Sequence, residues 1–351
     1  MITADIQPRT VLQANQTTGP VFLVGVWRSG TSLLQTLLNQ HSQIGLMYEA
    51  DLPLLSALFW GTHPKSDWLE RWNFWNSALT RHRIDRQALS SGPADLRSAA
   101  ETIYREYAAQ NGKPIFGEKS PNYWDSLDSL SRTFPSARFI VIWRNPLGIC
   151  RSVVSAAQNE PYFAKRGMLL RALLGCRKLK QQRDRLVARG VPVHELHYED
   201  LIRDPLATLR ALCAFLGVPL ETRMVSLEHA DRGSLYEGQH HSLVKGDKIV
   251  ASGSQRPENL HRAFRGKIDR YIALWRQESH GAFPVHIPAT AVNAHKPGFG
   301  ERLKDSLSLW LLRRLDASVA LAFCWAPMPL LKAWRARKRS SGVLLPAGDD
   351  R

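Results

Sequence analysis

The stretch Val21-Phe-Leu-Val-Gly-Val-Trp-Arg-Ser-Gly-Thr-Ser-Leu-Leu-Gln-Thr-Leu-Leu38 constrains the fold more than any other part of the chain. Val21 to Val26 is an apolar run, rich in β-branched residues and too short for a helix. It reads as a buried parallel strand. Leu33, Leu34, Leu37 and Leu38 then recur at helical spacing. Between them lies Gly25-Val-Trp-Arg-Ser-Gly30-Thr-Ser32. A strand entering a helix through a glycine-bounded loop leaves the first helical N–H groups unpaired and the positive dipole end facing outward. That is a cradle for a phosphate-like anion. An ordinary strand–turn–helix with a glycine-rich turn fits the same letters, and this stretch alone leaves both readings open.

The glycines have the G-x-x-x-x-G spacing of a P-loop, but Thr31 and Ser32 follow where a nucleotide triphosphatase carries Lys and then Ser or Thr. Such an enzyme needs that lysine on the β- and γ-phosphates. Here the loop cation is Arg28. A guanidinium matches the oxygen fork of a phosphate or sulfate. The pattern argues against cleavage of ATP or GTP.

The chain has 351 residues, enough for one large core or two domains. Hydrophobic residues at 44% and charged residues at 22% place it among globular rather than disordered chains. Lys and Arg number 47 against 31 Asp and Glu, a net +16 that favours anionic partners without choosing among nucleotides, glycans, nucleic acid and lipid. The cysteines at 150, 176, 213 and 324 contain no C-x-x-C pair, and the histidines no H-E-x-x-H. Buried free thiols in a reducing compartment and no metal site are expected. His194 and His197 would face opposite sides of a strand. Met1 to Pro20 is polar and lacks an apolar signal region, so the expected location is the cytoplasm.

Along the chain, Ile44 to Tyr48 reads as a second short strand with Glu49 at its carboxyl end, where ligands gather in open parallel sheets. A solvated surface carboxylate is the alternative. Residues 51–110 read as helical and aromatic-rich, with Trp68, Trp72 and Trp75 on one face. Core packing and an acceptor-binding wall both account for them. Lys113 to Lys119 is another strand running into a loop, with Ser120 or Asn122 as a cap. Lys119 at that strand end can neutralise charge on a leaving oxygen. A surface pair with Glu118 is the plainer reading.

Ala137 to Trp143 is the clearest buried strand. It ends in Arg144-Asn-Pro146, and Ser152 lies eight residues beyond Arg144 on the helix that Pro146 opens. Residues 166–189 form a long basic helix, and Val191 to Leu201 a further strand. Asp204-Pro opens a helix that Gly217 stops. The alternation over 20–217 gives an α/β class: a P-loop-type parallel sheet flanked by helices. Residues 231–258 read as a long loop of the kind that is functional or mobile, and about 260–277 as a closing helix.

From Glu301 the chain becomes a C-terminal helical extension. The apolar run Ala317 to Leu331, broken by Pro327 and Pro329, is 15 residues long. A span needs about 20. The basic flank Lys332 to Arg339 suits a segment in an anionic membrane interface, and docking on the body or on a second subunit is the alternative.

Together these motifs resemble sulfotransferases that use 3′-phosphoadenosine 5′-phosphosulfate, in the group containing bacterial and protein-tyrosine sulfotransferases. The resemblance covers about residues 20–280. Gly25 to Ser32 is similar to the family's 5′-phosphosulfate loop, and Arg144-Asn-Pro with Ser152 to its 3′-phosphate motif. Phe116-Gly-Glu-Lys119-Ser-Pro-Asn-Tyr resembles the segment with its lysine near the sulfuryl group. Tyr198-Glu-Asp-Leu with Phe215-Leu-Gly resembles a later block, and Ser254-Gln-Arg256-Pro a segment whose basic residue reaches the donor. The family's catalytic carboxylate follows the loop arginine at the distance of Glu49 from Arg28. The segment 241–250 and the tail from 300 depart from the pattern.

The resemblance implies in-line sulfuryl transfer to an acceptor hydroxyl or amine. Glu49, Lys119 and Arg28 are then the catalytic set. Arg28, Ser29, Gly30, Thr31, Ser32, Arg144, Ser152, Tyr198 and Arg256 hold the donor, and no metal takes part. The expected division is a tail at 1–19, a sulfotransferase domain at 20–290 and the extension at 291–351. A glycan or lipid-linked acceptor is the first expectation, with a small phenol or a tyrosine in a peptide as the alternatives, and peripheral membrane contact through 307–339 is one reading of the C-terminal segment. No nucleic-acid partner is expected, and the oligomeric state is open. The competing readings are a P-loop kinase-like enzyme and a non-catalytic basic protein that binds nucleic acid or membrane.

Overall fold

A computed structural model describes residues 19–52, 68–76, 81–84, 96–159, 163 and 168–231, scattered positions between 246 and 314, and 326–340. Five parallel strands form one sheet: β1 (Val21–Val24), β2 (Ile44–Tyr48), β3 (Ile115–Lys119), β4 (Arg138–Trp143) and β5 (Val193–His197), in the order β2-β3-β1-β4-β5. The first strand is central, with β3 and β4 on its two sides. In a parallel sheet all carboxyl ends lie on one edge, so the loops after β1, β2, β3 and β4 meet above it.

The strands alternate as period two demands. On β1, Phe22 and Val24 join one core, and Val21 and Leu23 the other. On β4, Phe139, Val141 and Trp143 face the first side, and Ile140 and Ile142 the second. Each face is covered by helices. The first side receives α3 (Leu96–Ala109), α4 (Leu127–Thr133), α5 (Pro146–Asn159) and α6 (Met168–Ala188). The second receives α1 (Thr31–Asn39), α7 (Tyr198–Arg203) and α8 (Pro205–Leu216). The short helix α2 (Trp68–Asn76) seals the β2 end, where Trp72 is fully buried and donates from Nε1 to Ala50 O at 2.8 Å. Trp72 is therefore core packing and not an acceptor-binding wall. Among the described residues the last helix is α9 (Met328–Ser340).

Gly117 makes the centre of the sheet possible. A Cβ there would sit 2.0 Å from Val21 O, so no other residue lets β3 pair with β1 in this register. Asp204 and Gly217 bound α8 as expected: the Asp204 carboxylate accepts from Ala207 N at 3.0 Å, and Gly217 takes the left-handed conformation at φ 77°.

Two sequence expectations change. The strand expected over Val191 to Leu201 ends at His197, and Tyr198 begins α7 without an intervening turn. Glu199 and Asp200 fall in that first turn, where carboxylates favour helix over strand. Glu118 and Lys119 form no surface pair. Both are fully buried, and as neighbours on β3 they point to opposite sides of the sheet. Arg256, most of the loop 231–258 and the helix expected near 260–277 lie outside the described residues.

Candidate active site

The β1–α1 loop carries the anion-binding features. Gly30 precedes α1 in a left-handed conformation, φ 101°, and no side chain caps the helix. The N–H groups of its first turn therefore have no intrahelical acceptor. A Cβ on Gly30 would meet Tyr198 Cδ2 at 2.4 Å, so the loop passes directly over that ring. The Ser29 side chain is buried, and its Oγ has no hydrogen-bond partner. An unpaired buried hydroxyl costs about 1–3 kcal/mol. A bound anion beside the helix start would satisfy both it and the free N–H groups.

Arg28 adopts φ 67°, which a non-glycine residue rarely takes. Arg144, at the end of β4, holds it there by donating from Nη1 to Arg28 O at 2.7 Å. The Arg144 guanidinium lies 4.0 Å over the Tyr198 ring. Burial pushes its pKa below the usual arginine value. The Arg28 side chain donates from Nε to Ser152 Oγ at 2.9 Å, and its guanidinium lies 5.4 Å over the Phe163 ring. The loop after β1, the loop after β4 and helix α5 are thus tied into one basic wall.

The second half of the site lies over β2 and β3. Their register pairs Tyr48 with Lys119, and Glu49 N donates to Lys119 O at 2.8 Å. Lys119 is fully buried, yet its ammonium has three partners. Nζ lies 2.5 Å from Glu49 Oε1, 3.2 Å from Ser32 Oγ and 3.5 Å from the Tyr48 ring centroid. Burial lowers the Lys119 pKa, and the Glu49 charge opposes that shift. The Glu49 carboxylate keeps some solvent access, its side chain being 16% exposed.

Sequence reasoning missed the layer beneath Glu49. Glu49 and Asp51 both have positive φ, 47° and 53°. The turn is held by Glu118, which accepts from Asp51 N at 2.5 Å, from the Tyr123 hydroxyl at 2.8 Å and from the Tyr104 hydroxyl. Asp51 in turn accepts from Asn122 Nδ2 at 2.7 Å and from the Ser120 hydroxyl. Arg81 donates from Nη2 to Glu49 O at 3.0 Å. Burial, with the neighbouring Asp51 charge, raises the Glu118 pKa to about 8. Burial, with Glu49, raises that of Asp51 to about 6. Strand alternation places Glu118 opposite Lys119 and so held a clue to its burial. The Tyr104 and Tyr123 contacts depend on pairing between distant elements.

Of the site residues singled out from sequence, Arg28, Ser29, Gly30, Thr31, Ser32, Glu49, Lys119, Arg144, Ser152 and Tyr198 all gather along this one edge of the sheet. Such an edge, with a free helix start, two arginines and a buried lysine beside a carboxylate, has the chemistry to hold an anion and to stabilise negative charge beside a carboxylate.

The comparisons name the class. A family model described as "Sulfotransferase family" matches residues 20–222, and the chain belongs to that family. It is 36% identical over 148 residues to nodulation protein NoeE of Sinorhizobium fredii, a match covering 41% of this chain and 33% of that one. It is 26% identical over 205 residues to protein-tyrosine sulfotransferase 1 of Danio rerio, covering 57% and 53%. The matches thus span between a third and about half of those relatives' lengths. Among solved structures, the sulfotransferase domain from the curacin biosynthetic pathway is 23% identical, with a TM-score of 0.47 over 72% of this chain and 96% of that one.

Proposed function

We propose that the protein transfers a sulfuryl group from 3′-phosphoadenosine 5′-phosphosulfate to an acceptor hydroxyl or amine. The observation that carries this reading is Lys119. Its buried ammonium is shared between a carboxylate and the hydroxyl of Ser32 at an open, anion-binding helix start. The residues present fit the donor. The first-turn N–H groups of α1, the Ser29 and Ser32 hydroxyls and Arg28 suit the 5′-phosphosulfate. Arg144, Ser152 and Tyr198 suit the 3′-phosphate end, and Arg256 is assigned there from the sequence pattern.

In this mechanism the acceptor oxygen or nitrogen forms a bond to sulfur as the bond from sulfur to the bridging phosphate oxygen breaks. The acceptor proton passes to Glu49, whose carboxylate has solvent access. Negative charge grows on the bridging oxygen, and Lys119 and Arg28 stabilise it. The products are the sulfated acceptor and 3′-phosphoadenosine 5′-phosphate. The ion pair with Lys119 aims Glu49 at the site. We assign the acceptor to the glycan or lipid-linked class on the apolar and basic character of the C-terminal segment.

The test is an assay for release of the spent donor, followed by mass spectrometry, with a panel of glycan, lipid-linked, phenolic and tyrosyl-peptide acceptors. Acceptor-dependent release with a mass gain of one sulfuryl group supports the reading. Cleavage of ATP with the sulfated donor inert would replace it with a kinase-like activity.

A further inference from the structure

The C-terminal part of the chain presents apolar side chains that the transfer site does not use. Phe299, Leu303, Leu307, Trp310 and Leu311 sit at helical backbone positions and are between 52% and 76% exposed. At 3.6 residues per turn these positions fall within an arc of about 120°. Arg314 shares that arc, and its guanidinium lies 5.4 Å over the Trp310 ring. The helix α9 repeats the pattern. Leu331 is buried, whereas Leu330 is 64% and Trp334 38% exposed. Residues 326–340 include Lys332, Arg335, Arg337, Lys338 and Arg339 and no acidic residue. The start of α9 is fixed to the body by Lys332 with Glu70 at 3.2 Å and by Arg71 Nη1 donating to Ala326 O at 3.0 Å.

We propose that these helices bind the surface of an anionic lipid bilayer. Apolar residues with tryptophan on one side and lysine and arginine around them match an interface whose outer layer is anionic and whose next layer is hydrocarbon. Among the described residues no helix is long and apolar enough to cross a membrane, so the segment lies on the bilayer. Nucleic acid would use the charge but leave the apolar stripe in water. A symmetric contact with a second copy would bring together two basic runs that carry no offsetting acid. Helix α2, which holds α9 through Glu70 and Arg71, also holds Ala50 through Trp72. The lipid surface would therefore lie one helix away from the turn that carries Glu49. The inference rests on the surface alone and stands apart from the sulfuryl-transfer reading.

The experiment is co-sedimentation of the full chain with vesicles of phosphatidylcholine, with and without phosphatidylglycerol. It compares wild type, a Leu307→Glu/Trp310→Glu double variant and an Arg335→Gln/Arg337→Gln/Lys338→Gln variant. Thermal midpoints check folding, and light scattering gives the mass. Wild type is expected to bind the anionic vesicles, to weaken as salt rises and to leave phosphatidylcholine unbound. Each variant is expected to bind at least about tenfold more weakly at an unchanged midpoint. Wild type that stays in the supernatant overturns the proposal. So does a dimer that the double variant dissociates without loss of vesicle binding, because the face would then join two copies. Equal vesicle binding by wild type and both variants also overturns it.

Discussion

Lys119 Nζ lies 2.5 Å from Glu49 Oε1, although the two residues are 70 positions apart in sequence. The contact follows from the register of two parallel strands. Tyr48 pairs with Lys119, so the residue after Tyr48 is delivered to the ammonium. The same ammonium reaches Ser32 at the start of α1. One buried cation thereby joins the proposed base to the proposed donor loop.

Glu49→Gln keeps a hydrogen-bond acceptor for Lys119 but removes the base. Turnover is expected to fall about 10²–10⁴-fold. Affinity for 3′-phosphoadenosine 5′-phosphate should stay within about threefold. Steady-state kinetics and calorimetry on the same preparation check this, and a parallel loss of both would assign Glu49 to the donor site.

Ser152→Ala removes the partner of Arg28 Nε and leaves a half-buried guanidinium less well aimed. Donor-product affinity is expected to fall about 5–10-fold, in line with loss of one hydrogen bond worth about 1 kcal/mol. The thermal midpoint should move by no more than about 2 °C. A large midpoint drop with affinity retained would make the contact purely structural.

Glu118 and Asp51 give the fold a pH dependence of definite sign. Their pKa values rise from 4.5 to about 8 and from 3.8 to about 6 on burial. The folded state then binds more protons than the unfolded state between those limits, so stability is greatest in acid and falls as pH rises through the window. The loss is on the order of a few kcal/mol for the pair. Thermal melts should show the wild-type midpoint dropping from pH about 5 to about 8, and Glu118→Gln should flatten that slope. A wild-type midpoint that rises over the same range would contradict the arrangement.

Gly117→Ala should not give a stable protein. The added Cβ would lie 2.0 Å from Val21 O and 2.6 Å from Val21 N in the central strand pair, and that backbone cannot give way without breaking the pairing. The expected cost is about 3 kcal/mol or more, read as loss of soluble protein or a strongly lowered denaturation midpoint. Near-normal stability would mean that β1 and β3 pair in another register.

Sequence reading reached what local pattern encodes. The β1–loop–α1 unit is a short β-branched run, two glycines and a leucine stripe, all within one continuous stretch. The helix Pro205–Leu216 announces itself by Asp204, Pro205 and Gly217. The place where β5 gives way to α7 was lost because no glycine or proline separates His197 from Tyr198. The acid layer under Glu49 was lost for a different reason. Glu118 looks like any surface carboxylate until β3 is set between β1 and β2, with Tyr104 from α3 and Tyr123 from the following turn closing over it. Strand ends already pointed Glu49, Lys119 and Arg144 at one crevice, and their roles as base, charge stabiliser and donor contact came from family resemblance. The strand order shows how their strand ends come to share one edge.

We assign the β1–α1 loop and the end of β4 to a 3′-phosphorylated nucleotide. Calorimetric titration with 3′-phosphoadenosine 5′-phosphate, with ATP as the control, tests it directly in wild type and Arg144→Ala. Wild type is expected to bind tightly, selective over ATP by at least about tenfold. That selectivity should be lost when Arg144 no longer supports Arg28 and stacks on Tyr198. No binding by wild type, or equal binding of ATP, would contradict it and leave the glycine loop as a turn or as the seat of another nucleotide.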